Sequence, residues 1–168
     1  MNKTKTYLVW TIIVSLLTIA INVFIIVHSC LNASESTNAS KGIVDISENI
    51  INTISPGTIN ASNYDSFATF IRKLFGHFGL FFISGVLTSL DIYLLFSSKR
   101  WSKYWLLITI SLSFGLLLGI ITETIQLTVP GRSGEFTDVL IDFGGYVLGF
   151  SIVLLILFVI IRKRSKYK

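Results

Sequence analysis

Four stretches of this sequence are apolar enough and long enough to cross a membrane. They cover residues 7–28, 75–96, 104–122 and 139–161. A hydrocarbon core about 30 Å thick is spanned by roughly 20 residues of helix. Inside lipid the backbone polar groups of such a segment must be satisfied by its own helical hydrogen bonds. The sequence therefore predicts an all-α integral membrane bundle of four transmembrane helices.

The positions of the basic residues predict how these spans are oriented. Ten of the 14 Lys and Arg residues lie before span one, between spans two and three, or after span four, namely Lys3, Lys5, Lys99, Arg100, Lys103, Arg162, Lys163, Arg164, Lys166 and Lys168. Short cytoplasmic segments are enriched in Lys and Arg. We therefore expect a multi-pass protein of the cell membrane with both termini in the cytoplasm. The net charge of +5 reflects this topology and does not indicate nucleic-acid binding.

The chain divides into four parts on this interpretation. Span one is residues 1–28, an outer loop with amphipathic helices is 29–71, a three-span region is 72–161, and a basic cytoplasmic tail is 162–168. The first apolar run is longer than the core of a signal peptide, so we expect it to stay uncleaved. Cys30 is the only cysteine, which excludes an intramolecular disulfide and a cysteine-based metal cluster.

The outer loop carries two amphipathic patterns. Isoleucines recur at steps of three and four, with polar residues between them, at positions Ile43, Ile46, Ile50 and Ile54. This pattern predicts a helix lying on the outer leaflet, and Pro56-Gly57 ends it. A second helix begins near residues 62–65 and is expected to continue into span two. Within that span Asp91 is expected to pair with Lys99 or Arg100.

Small residues line one face of each of the last two spans. Span three carries Ser111, Gly115 and Gly119 at steps of four, followed by Glu123. Span four carries Asp138 and Asp142, followed by Gly145 and Gly149. Small residues let helices approach closely in lipid. We therefore predict that spans three and four pack face to face through these stripes, which would bring Glu123 close to Asp138 and Asp142.

The loop between these spans and the start of span two supply further polar residues. Pro130-Gly131 predicts a turn that projects Arg132 over the carboxylates. An ionisable group inside a membrane is costly enough to indicate function by default. The candidate cluster at the outer membrane boundary is Arg72, His77, Glu123, Gln126, Arg132, Asp138 and Asp142. The competing interpretation is a polar network that only locks three helices together.

These residues resemble the pattern of the VanZ-like family of bacterial membrane proteins. The pattern has a basic residue and a His at the start of one span, then Glu-x-x-Gln, an Arg-containing turn, an Asp and a Gly-rich last span. The corresponding residues here are Arg72-Lys73, His77, Glu123, Gln126, Arg132, Asp138, Gly145 and Gly149, and the resemblance covers residues 72–160. The family often has Asn where this chain has Asp142, which adds a negative charge.

The resemblance implies a cell-envelope protein that alters susceptibility to glycopeptide antibiotics of the teicoplanin type. Its expected partners are membrane lipid and either a cell-wall precursor or the glycopeptide itself. Two alternatives stay open. One is an integral-membrane enzyme acting on a lipid-linked or phosphate-bearing substrate, with a divalent metal as candidate cofactor, although the sequence lacks HExxH, a His pair and a Gly-rich phosphate loop. The other is transport along the buried acids, which would require an oligomer.

Overall fold

The structure, a computed structural model, describes residues 3–96 and 104–166, and within these ranges the protein is mostly helical, with no strand. Its elements are α1 (Lys3–Ser29), α2 (Ala33–Ile54), α3 (Tyr64–Arg72), a π-helical segment (Lys73–Gly79), α4 (Leu80–Phe96), α5 (Tyr104–Leu127) and α6 (Phe136–Lys166). Within these ranges, four helical stretches are long and apolar enough to cross a membrane, at Lys5–Ser29, Tyr64–Phe96, Leu107–Leu127 and Phe136–Ile160. The prediction of an all-α protein with four spans is confirmed.

Helix α4 packs against α6, α1 and α5, while α6 packs against α4, α5 and the π-helical segment. Helix α1 contacts both α4 and α5. Tyr146 on α6 is fully buried, and its ring fills the groove left open by Gly115 on α5. The Tyr146 hydroxyl lies 3.1 Å from the hydroxyl of Ser111. Where α4 contacts α1, the Ser84 hydroxyl of α4 donates to the side-chain oxygen of Asn22 on α1 at 2.7 Å.

The two small-residue stripes face different partners. A Cβ added at Gly145 would come 2.3 Å from the carbonyl oxygen of Phe78, and one added at Gly149 would come 2.2 Å from the carbonyl oxygen of Phe82. The stripe of α6 therefore packs on the second span, whereas the stripe of α5 faces Tyr146 and Asp142. The two stripes therefore do not pack on each other as predicted. Spans three and four are in contact, but only the stripe of α5 lies at that contact. One residue along a helix turns the side chain by about 100°, so adjacent residues of α6 reach different neighbours.

Helix α2 lies between the first and second spans, and α3 continues into the second span, as the two amphipathic patterns predicted. Helix α2 begins about ten residues before the isoleucine repeat, because Asn32 and Glu35 form a reciprocal capping box at its N-terminus. Val44 of α2 packs against Ala68 and Ile71 of α3. The isoleucines on the opposite face of α2 stay exposed, with 80% of Ile54 accessible.

Asp91 is bonded to α1 in the part of the chain that the structure describes. The Ser15 hydroxyl of α1 donates to its carboxylate at 2.5 Å. Lys99 and Arg100, the expected partners, lie outside the described residues. The contact ties the middle of α1 to the second half of α4.

The glycine contacts of α6 generate a stability prediction. Replacing Gly149 with Ala places a methyl group against the backbone of α4, and we expect this overpacking to cost about 1–3 kcal/mol of folding free energy and to lower the melting temperature in detergent. Gly144→Ala is the matched control, because a Cβ at Gly144 meets no atom of the described residues within 4 Å. Equal melting temperatures for the two variants would contradict the close packing of α6 on α4.

Candidate functional site

The polar end of the bundle is built on the π-helical segment that joins α3 to α4. A π-helical turn within a longer helix is rare and occurs often at functional sites. Here it presents Lys73 and His77, four residues apart, toward α6. The close approach of α6 to the Phe78 carbonyl, which Gly145 permits, holds the segment against the start of α6.

His77 lies among three carboxylates from two other helices. Its Nδ1 is 3.1 Å from Asp142 Oδ1 and 3.7 Å from Glu123 Oε1, while its Nε2 is 3.9 Å from Asp138 Oδ2. The side chain of Asp142 is 1% exposed and that of Glu123 is 6% exposed. The second, third and fourth spans therefore each contribute to one buried cluster.

Lys73 supplies the positive charge that the sequence analysis had assigned to its neighbour. Its Nζ lies 2.5 Å from Asp138 Oδ1 and 3.0 Å from Glu135 Oε2. Arg72 instead donates to the hydroxyls of Thr69 and Thr37 at 3.1 and 3.4 Å. Arg72 lies on the wall of a neighbouring cavity, while Lys73 is the residue that pairs with the carboxylates. The hydrogen bond from Lys73 holds the pKa of the Glu135 carboxyl below its ordinary value.

The loop between α5 and α6 is shaped by its Pro-Gly pair. The Arg132 N–H donates to the Val129 carbonyl at 3.2 Å, and Gly131 has a φ of +75°. Pro followed by a residue with positive φ is typical of a type II turn. The turn directs the Arg132 guanidinium back to α5, where its Nη2 donates to Gln126 Oε1 at 2.7 Å.

The end of the same loop is bonded to the buried cluster. The backbone N–H of Glu135 donates to Glu123 Oε2 at 3.0 Å. Gly134 permits this approach, since a Cβ there would lie 2.5 Å from the Glu123 carbonyl oxygen. Burial lowers the pKa of the Arg132 guanidinium, whereas the nearby carboxylates of Glu123 and Asp138 raise it. Arginine stays protonated in proteins, so Arg132 is a cation here.

Three polar atoms of the site have unused hydrogen-bonding capacity. Glu123 Oε1, Asp142 Oδ2 and Arg132 Nη1 are buried, and none of them has a hydrogen-bond partner within the described part of the chain. A buried polar group without a partner costs about 1–3 kcal/mol, and more when it is charged. Such atoms are the places where a ligand would be stabilised.

A cavity of about 460 Å³ opens beside the cluster. Its walls come from all six helices α1 to α6, the π-helical segment and the loop between α5 and α6. Its ionisable lining residues are His28, Arg72, Lys73, His77, Arg132, Glu135, Asp138 and Asp142. His28, near the end of α1, is a lining residue that the candidate cluster did not include. Its position on the cavity wall depends on how α1 packs, which no local pattern reveals.

The structure brings most of the predicted cluster together. Glu123, Asp138 and Asp142 each place a carboxylate oxygen within 4 Å of the His77 imidazole, and Arg132 is bonded to Gln126. Lys73 and Glu135 are members that sequence reasoning missed. The four-residue step from Lys73 to His77 is the signal that would have identified the first. Glu135 carries no such signal, because its role depends on the turn of the loop.

Comparison with known proteins was made for the whole chain. A family model described as VanZ/LLP1 matches residues 12–159. The match is wider than the 72–160 region in which the motifs were recognised, and it takes in most of α1 together with α2 and α3. No curated protein and no solved structure matches the chain.

The ion pairs of Lys73 are expected to stabilise the folded protein. Lys73→Ala leaves the nearly buried Asp138 without its cation, and we expect a loss of about 1.5–3 kcal/mol, which is typical of hydrogen bonds to charged groups. Arg72→Ala, which removes only hydroxyl contacts, is expected to cost less. Melting temperatures of both variants in the same detergent test this order, and a greater loss in Arg72→Ala would contradict it.

Proposed function

This chain belongs to the VanZ/LLP1 family, and on that premise we propose that it binds an anionic component of the bacterial cell envelope in the cavity described above. The bound component is a phosphate or carboxylate headgroup, such as that of a lipid-linked cell-wall precursor. Occupation of the cavity changes susceptibility to glycopeptide antibiotics of the teicoplanin type by altering how they reach their target at the membrane surface.

The main support for this proposal is the hydrogen bonding of the Arg132 guanidinium. One end of its guanidinium is held by Gln126, while Nη1 is buried without a partner among the described residues. A guanidinium presents its donors as a rigid planar fork that matches phosphate and carboxylate oxygens. Because Gln126 already fixes the plane of the group, little side-chain entropy is lost when an anion binds.

The neighbouring charges support an anion at this position. Arg72 lies on the wall of the same cavity. Among the residues that the structure describes, its hydrogen bonds are to neutral hydroxyls and no acid is paired with it. Lys73, in contrast, is engaged by Asp138 and Glu135. Arg72 and Arg132 are therefore the cations of the cavity that would bind an anion, whereas Lys73 is held in ion pairs with the protein's own carboxylates.

We also propose that the cavity opens on the outer face of the cell membrane. The excess of Lys and Arg near the two termini supports cytoplasmic termini. The exposed isoleucines of α2 support a helix that rests on lipid beside the cavity. A lipid-linked headgroup in the outer leaflet would then reach Arg132 without leaving the membrane.

Cysteine labelling tests this orientation. In a Cys30→Ser background, Thr58→Cys is expected to react with a membrane-impermeant maleimide in intact cells, because Thr58 is exposed in the turn after α2. Lys168→Cys at the C-terminus is expected to react only after the cells are permeabilised. The reverse pattern would contradict the proposed orientation.

Antibiotic susceptibility tests the function. Expression of the chain in a susceptible Gram-positive host is expected to raise the teicoplanin concentration needed to inhibit growth at least fourfold, a change large enough to measure reliably. Arg132→Ala is expected to abolish this increase, because it removes the anion-binding fork. Glu123→Gln is expected to reduce it, because Glu123 holds the loop through Glu135.

Lys41→Ala, which removes an exposed cation of α2 outside the cavity, is the matched control and is expected to behave like the unaltered chain. Membrane levels of each variant are measured by immunoblot. If the chain is present but susceptibility does not change, or if Arg132→Ala retains the full effect, the proposal is wrong.

A further inference from the structure

We propose that His77, Glu123 and Asp142 form a binding site for one divalent cation in the buried cluster beside the cavity. The inference goes beyond the proposed function, which depends on Arg132, and the two can fail separately. It is argued from the geometry of the three side chains, from their unused lone pairs and from the charges around them.

The geometry suits a single ion. His77 Nδ1 and one carboxylate oxygen each from Glu123 and Asp142 all lie within 4.8 Å of one another. Nitrogen and oxygen ligands bind divalent cations at about 2.0–2.6 Å. Two ligands of one ion are therefore separated by at most about twice that bond length. The three atoms meet this limit, and they come from three different spans whose packing fixes them.

The unused lone pairs point to an occupant. His77 Nδ1 faces two carboxylates, which are hydrogen-bond acceptors when ionised. A proton on Nδ1 would satisfy Asp142 Oδ1 at 3.1 Å. It would leave Glu123 Oε1 and Asp142 Oδ2 unsatisfied, and these are the two buried oxygens that find no partner in the described ranges. A divalent cation has enough coordination positions to satisfy the imidazole and both carboxylates.

The charge balance also favours a cation. Glu123 and Asp142 are both nearly inaccessible to solvent, and isolated buried carboxylates are strongly disfavoured. Lys73, the lysine of the cluster, bonds to Asp138 and Glu135 instead. One divalent cation would neutralise the two remaining acids.

The residues behind the three ligands resemble the support that metal ligands have in proteins. A metal-bound His usually donates its other ring N–H to a carboxylate, which fixes the ring. Here Asp138 Oδ2 is the carboxylate oxygen that faces His77 Nε2, at 3.9 Å, which is longer than a hydrogen bond. Glu123 is held through Oε2 by a backbone N–H. His77 and Asp142 also line the cavity, which leaves a route for the ion. One imidazole with two carboxylates suits Zn²⁺ or Mn²⁺.

Metal binding by the full chain, purified in detergent and stripped with EDTA, tests the site. We expect one Zn²⁺ or Mn²⁺ per chain by elemental analysis after dialysis. Titration calorimetry is expected to show at least tenfold weaker affinity in Asp142→Asn and Glu123→Gln. Asp45→Asn, which removes the same charge from α2, is the matched control and is expected to bind like the unaltered chain.

Thermal unfolding gives a second readout. A ligand that binds only the folded state raises its melting temperature, so added metal should raise it in the unaltered chain and in Asp45→Asn but not in Asp142→Asn. Asp142→Asn preserves the shape of the side chain, and the comparison within each variant does not require equal starting stability. If neither metal binds, or if Asp142→Asn and Glu123→Gln bind with unchanged affinity, the site is not a metal site and the cluster is held by a protonated His77.

Discussion

The backbone contact between α6 and the second span is the constraint on which the polar site depends. Gly145 lies against the carbonyl of Phe78, and each of these residues is near a member of the cluster. Asp142 comes one helical turn before Gly145, and His77 immediately precedes Phe78. The short distance between the imidazole and the carboxylate is therefore a consequence of helix packing. A larger side chain at position 145 would separate the two spans where the site begins.

The charges of the site divide into two groups with different roles. Lys73 forms ion pairs with Asp138 and Glu135, so that one positive charge faces two negative ones, and these pairs join the second span to the start of α6. His77, Glu123 and Asp142 lie deeper and contain more acceptors than donors. Arg132 stands apart from both, bound to Gln126. An anion bound at Arg132 would offset the positive charge of a cation bound at His77, and the cation would offset the negative charge of the anion.

The sequence was sufficient to predict the four spans and most of the site, because apolar length and the spacing of carboxylates are local properties. Whether Arg72 or Lys73 pairs with the carboxylates could not be predicted from the local sequence. An α-helix has 3.6 residues per turn, whereas the chain is π-helical from Lys73 onward, and this changes which side chain faces α6. The sequence also could not predict which helix packs on the α6 glycine stripe. Small residues permit close packing but do not identify the neighbouring helix. The start of α2 was readable, since Asn32 and Glu35 have the spacing of a capping box.

Glu135 connects the two halves of the site mechanically. Its side chain bonds to Lys73, its backbone N–H bonds to Glu123, and it lies three residues after Arg132 in the same short loop. A ligand that pulls on Arg132 would therefore shift a carboxylate of the buried cluster through the loop backbone. Such coupling is reciprocal by thermodynamic necessity. Whatever occupies the buried cluster would change the affinity of the cavity for its ligand, and the ligand would change the affinity of the cluster by the same factor.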